Sequence, residues 1–124
     1  MIHTLLVMAG GAVGAALRYQ VGRIGSALLA PGFPWATLAV NVIGGFAMGL
    51  LAGGLARMSV GEPWRLLLGV GVLGGFTTFS AFSLETVLML QRGEAGLAFL
   101  YVLASVVGSV AALFVGLSIL RSVA

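Results

Sequence analysis

The chain has 124 residues, of which 60% are hydrophobic and 7% charged, and its mean hydropathy is +1.19. Such a composition excludes a water-soluble globular domain and describes an integral membrane protein with room for one domain, residues 1–124. The formal charge of +3 comes from arginines alone, too scattered to form the clustered basic face that nucleic acid requires, and the absence of cysteine excludes disulfides and thiolate metal sites.

The first apolar run extends from Thr4 to Ala30 and is interrupted by Arg18, Gln20 and Arg23. It is too long for the apolar region of a signal peptide and has no basic residue before it, so it is expected to remain in the mature protein. Later runs cover Ala36 to Ala56, Leu66 to Leu90 and Ala95 to Leu120. Each exceeds the roughly 20 residues needed to cross a bilayer core, which predicts an all-α protein with four transmembrane helices. The connections Pro31 to Pro34, Arg57 to Arg65 and Gln91 to Glu94 are short. Four spans put both termini and the second loop on one side, with Arg57, Arg65 and Arg121, against Arg23 and Arg92 on the other. So small a bias specifies orientation weakly and permits two copies to insert in opposite senses.

In the first span Gly10 and Gly14 are four apart, as are Gly45, Gly49 and Gly53 in the second and Gly71 and Gly75 in the third. This spacing predicts helix faces that let backbones approach closely. Arg18 lies at the centre of the first run, where a guanidinium needs either a watery vestibule or a partner such as Glu85. In the second span, Asn41 shares a face with Thr37, about 9 Å from the membrane-water boundary at 1.5 Å per residue. The third run contains Gly74-Gly75-Phe76-Thr77-Thr78-Phe79-Ser80, paired glycines followed by consecutive hydroxyls, where an unbroken lipid-facing helix should have neither. A break at Gly74 to Thr77 is therefore expected at membrane depth, with Phe79 and Phe82 on similar directions just after it. In the last span Tyr101, Ser105 and Ser109 recur every four residues and align three hydroxyls.

An amide, a row of hydroxyls and aromatic edges at similar depths describe a path for a small polar species. The positive edge of a phenyl ring suits an anion, and hydroxyl and amide hydrogens replace part of its water shell. The alternative is that each hydroxyl bonds back to its own helix, Asn41 joins two helices and the rings only pack. Four helices are too few to pack a core and also enclose a wet pore, so a shared pathway and at least a homodimer are expected. His3 is the only histidine, which leaves no intrachain catalytic triad or three-histidine zinc site, and the chain is not expected to be an enzyme.

As a set, these residues resemble the Fluc (CrcB) family of fluoride channels. The likeness runs through the whole chain and is carried by Gly10-Gly11-Ala12-Val13-Gly14-Ala15-Ala16-Leu17-Arg18-Tyr19, Thr37-Leu38-Ala39-Val40-Asn41-Val42-Ile43-Gly44 and Gly74-Gly75-Phe76-Thr77-Thr78-Phe79-Ser80-Ala81-Phe82-Ser83. The third motif is the most specific. The resemblance implies an antiparallel, dual-topology homodimer in the bacterial inner membrane, exporting fluoride passively through two pores. It also implies that Phe79 and Phe82 face fluoride, that Asn41 donates to it, and that Tyr101, Ser105 and Ser109 form a polar track. The backbone carbonyls of Gly74 and Thr77 from both subunits are implied to hold a structural sodium ion. Ala81 departs from the threonine common in the family and removes one hydroxyl from the pore. The competing reading is a small multidrug-type proton-coupled exporter, which would be expected to carry a central carboxylate in its first helix. Here that helix has arginines and no acid, and Glu85 is the only carboxylate within a span.

Overall fold

A computed structural model describes residues 1–29, 31–58 and 61–122, the side chains of Arg57 and Met58 excepted. Arg57, counted in the charge balance above, thus lies outside the described side chains. The elements are α1 (Ile2–Leu28), α2 (Trp35–Met58), α3 (Glu62–Trp64), a π-helical stretch (Arg65–Leu73), α4 (Gly74–Phe76), α5 (Ser80–Gln91) and α6 (Ala95–Ser122). They form four segments long and apolar enough to cross a membrane: Ile2–Leu28, Trp35–Ala56, Glu62–Gln91 and Ala95–Ser122. The described chain is all-helical, as its composition requires.

Glycine sets the pairing of the spans. A Cβ on Gly71 would stand 2.9 Å from the Cα of Gly10, and one on Gly75 would stand 2.6 Å from the carbonyl oxygen of Gly11. These positions let α1 lie directly on the first half of the third span. The glycines of α2 meet α6 instead: a Cβ on Gly45 would approach the carbonyl of Ser109 to 2.7 Å, and Gly49 faces the backbone of Leu113 and Leu117. The expected close-packing faces are present, one for each helix pair.

The third span is not one regular helix. Its first part winds as a π-helix around buried Gly69 and Gly71, and the capping N–H of Gly74 reaches the carbonyl of Gly69. The break falls later than the expected Gly74 to Thr77. Gly74 and Gly75 are helical, and the chain leaves helical geometry at Thr77, whose backbone is extended at φ −82° and ψ 158°, before α5 starts at Ser80. Gly75 thus serves close approach to α1, whereas the hydroxyl residues that follow provide the interruption.

At the far end of α5, Gly93 takes φ 80°, and the bonds Gly93 N–H to Leu90 O and Glu94 N–H to Met89 O close a Schellman turn into α6. Phe82, Met89, Ala98 and Tyr101 form a buried cluster joining α5 to α6, with Phe33 of the first loop packed against it.

Candidate functional site

Asn41 of α2 holds the break from across the spans. Asn41 accepts the N–H of Thr78 at 2.9 Å through its side-chain carbonyl and donates to the Thr78 carbonyl at 3.0 Å. This two-way clamp does for Thr78 what a neighbouring strand would do, and satisfies backbone groups that the helix no longer pairs. This bond commits one amide hydrogen to the protein and leaves the other for the donation expected from sequence. Other groups brace the same segment. Thr77 Oγ1 donates to the Leu73 carbonyl at 3.0 Å, and the Ala81 N–H reaches Thr78 Oγ1 at 3.1 Å. Among the described residues, no hydrogen bond is made to the carbonyls of Gly74, Phe76 and Thr77.

On one side of the break lies a groove of about 410 Å³. It gathers Asn41 from α2, Phe79 and Phe82 from either end of the α5 entry, and Ser105 and Ser109 from α6. The five come from three spans and are far apart in sequence. Phe79 is 77% exposed and Phe82 only 8%, with ring centroids 5.5 Å apart. Ser105 is buried, and its hydroxyl has no hydrogen-bond partner among the described residues. It does not bond back to its helix, unlike Thr86, whose hydroxyl donates to the Phe82 carbonyl at 2.8 Å.

Tyr101 stands apart from this groove. Its ring is fully buried, 5.2 Å from that of Phe82 and edge-on to Phe33 at 5.4 Å. Its hydroxyl donates to Glu85 at 3.0 Å, and Thr37 Oγ1 donates to the other carboxylate oxygen at 3.0 Å. Glu85 is thus held by two hydroxyls and does not pair with Arg18. The Arg18 guanidinium instead donates to the Gly75 carbonyl at 3.3 Å and lines a second groove of about 540 Å³ between α1 and α2. The contemplated Arg18 to Glu85 tether is corrected accordingly, because each group finds a nearer partner.

Two contributions were not singled out from sequence. Thr78 lines both grooves and is the residue Asn41 clamps; its signal was the consecutive hydroxyls of the third motif. Phe33, a single aromatic in a proline-flanked loop, gave no periodic signal at all.

The family model for CrcB-like protein, Camphor Resistance (CrcB), matches residues 5–117. The chain is 59% identical to a protein of Novosphingobium aromaticivorans called fluoride-specific ion channel FluC, covering 100% of both chains. It is 60% identical to a protein of the same description from Phenylobacterium zucineum, over 96% of this chain and 95% of that one. A third, from Caulobacter vibrioides, is 56% identical over 99% of this chain and 98% of its own length.

Proposed function

The chain belongs to the CrcB family, and on that premise we propose that it is a fluoride-selective channel conducting the ion passively across the bacterial inner membrane. The relatives are described as ion channels, so the family is one of channels rather than enzymes. The observation that carries the reading is the groove lined by Asn41, Phe79, Phe82, Ser105 and Ser109, which offers hydroxyl and amide hydrogens and ring edges at membrane depth without a lining carboxylate. The buried, unpartnered hydroxyl of Ser105 has a donor to give, and leaving it unused is costly. Tyr101 and Glu85 extend the line beyond Phe82 as a hydrogen-bonded pair.

The working unit we propose is an antiparallel, dual-topology homodimer with two pores. A phenylalanine 77% exposed beside an open groove at mid-membrane favours a second copy over lipid as its cover, because lipid cannot complete a polar pathway. The carbonyls of Gly74 and Thr77, which no described residue hydrogen-bonds, fit a structural sodium ion shared by two subunits. Uncharged oxygen donors suit a monovalent cation, and such an ion would fix the two breaks against each other.

The deciding experiment uses purified protein in liposomes loaded with fluoride or chloride. Fluoride should leave down its gradient with no imposed proton gradient, while chloride stays. Flux strictly coupled to protons would favour the small exporter reading, and no anion flux under any gradient would reject both.

A further inference from the structure

The groove between α1 and α2 has two guanidiniums in its lining, and they are placed differently. Arg18, half-buried at the inner end, is bound to the Gly75 carbonyl. Arg23 lies five residues nearer the first loop, about 7.5 Å along the helix axis, and is exposed. Its partner among the described residues is neutral: Nη1 donates to the side-chain carbonyl of Gln20 at 3.2 Å.

Two of the other arginines and all three acidic side chains have partners. Glu62 pairs with Arg65, Glu94 pairs with Arg92 at 2.7 Å, and Glu85 is held by the hydroxyls of Thr37 and Tyr101. These are all three acidic side chains of the sequence, and among the described residues none of them pairs with Arg23. With no acidic side chain beside it, the Arg23 guanidinium has no local counter-charge to offset its attraction for an anion. The same groove is lined by Thr78, which also lines the groove holding Phe79 and Ser105. A charge at the mouth of a cleft with low-dielectric walls focuses field lines into it and raises the local concentration of counter-ions.

We infer that Arg23 is the anion-capture residue of this pathway. It draws fluoride from water into the groove between α1 and α2, toward Arg18 and Thr78, without itself being a ligand in the dry part of the path. The inference rests on the fluoride-channel reading and adds a source for the rate of entry. Because Arg23 acts through water, its effect must be screened by salt, whereas a packing role would not be.

The test measures initial fluoride efflux from liposomes for the wild type, Arg23→Lys, Arg23→Gln and Arg23→Glu, at subsaturating and saturating fluoride, with ionic strength set by an impermeant salt. At about 0.01 M, where the screening length is about 30 Å, Arg23→Gln should lower the subsaturating flux by about two- to five-fold, Arg23→Glu by more, and Arg23→Lys little. At about 1 M, where that length is about 3 Å, the four should converge. Saturated flux should be alike in all four throughout. Equal flux of Arg23→Gln and wild type at low salt overturns the inference, as does a loss that salt leaves unchanged. The wild type alone supplies a second measurement should a variant not assemble: its subsaturating flux must fall with added salt while its saturated flux holds, and a flat response also overturns the capture role. A wild type that passes no fluoride would instead overturn the channel reading beneath it.

Discussion

A phenyl ring and a branched aliphatic side chain fill similar space, but only the ring presents a positive edge. Phe79→Ile and Phe82→Ile should therefore slow fluoride flux at least about tenfold, equivalent to about 1.4 kcal/mol on the barrier, while the protein remains assembled. Liposome efflux with size-exclusion chromatography checks both halves, and unchanged flux in both variants would reduce the rings to packing. Ser105 makes a sharper case, since its buried hydroxyl has no partner among the described residues. Ser105→Ala should leave thermal stability unchanged or slightly raised, because it removes an unsatisfied group, and still lower the flux. A loss of stability would indicate that the hydroxyl is paired within the protein. Asn41→Asp keeps an acceptor for the Thr78 N–H but sets a carboxylate against the Thr78 carbonyl. It should both loosen the break, at about 1–3 kcal/mol for the group left unpaired, and block the anion. Robust flux through that variant would remove Asn41 from the pathway.

Among the helices, small residues are used selectively rather than uniformly. Gly14 and Gly49 face the backbone of a neighbouring span, whereas a Cβ on Gly11 or Gly96 meets nothing within 4 Å. Gly14→Ala and Gly49→Ala should each cost about 1–3 kcal/mol as backbones are forced apart, and Gly11→Ala and Gly96→Ala should cost little. Melting temperatures in detergent distinguish the two pairs of variants, and equal loss in all four would show that glycine content, not contact, sets stability. The spacing of four was visible in sequence, since a helix repeats its faces every three to four residues. Which glycine of a neighbouring pair makes the contact was not, because that depends on where the opposing helix crosses. The same limit displaced the expected break. Paired glycines pointed to the start of the break, yet Gly75 is fixed against α1 and the irregular backbone belongs to the hydroxyl residues that Asn41 secures.

For the molecule as a whole, large apolar side chains such as Phe99, Val110 and Phe114 remain exposed on one chain, as membrane helices facing lipid or a second copy must. If a sodium ion joins two breaks through the carbonyls of Gly74 and Thr77, exchanging sodium for a bulky organic cation during purification should weaken the dimer or its flux. Full assembly and flux in the exchanged protein would refute the ion's structural role. Opposed insertion of the two copies is tested separately by tagging the termini, which should be found on both faces of the membrane; tags confined to one face would exclude dual topology.

Sequence by itself determined the number of spans, the short connections, the faces available for close packing and the family, because these depend on local composition, periodicity and contiguous motifs. It also named nearly all the polar and aromatic residues of the groove, since such groups are too costly in hydrocarbon to occur there without partners or purpose. Only the tertiary structure decided their partners. That Asn41 clamps Thr78, that Tyr101 and Thr37 share Glu85, and that Arg18 turns to Gly75 instead of Glu85 all follow from how three spans cross the break. A hydrogen bond between residues 37 or 57 positions apart is a property of that crossing, and no spacing along the chain encodes it.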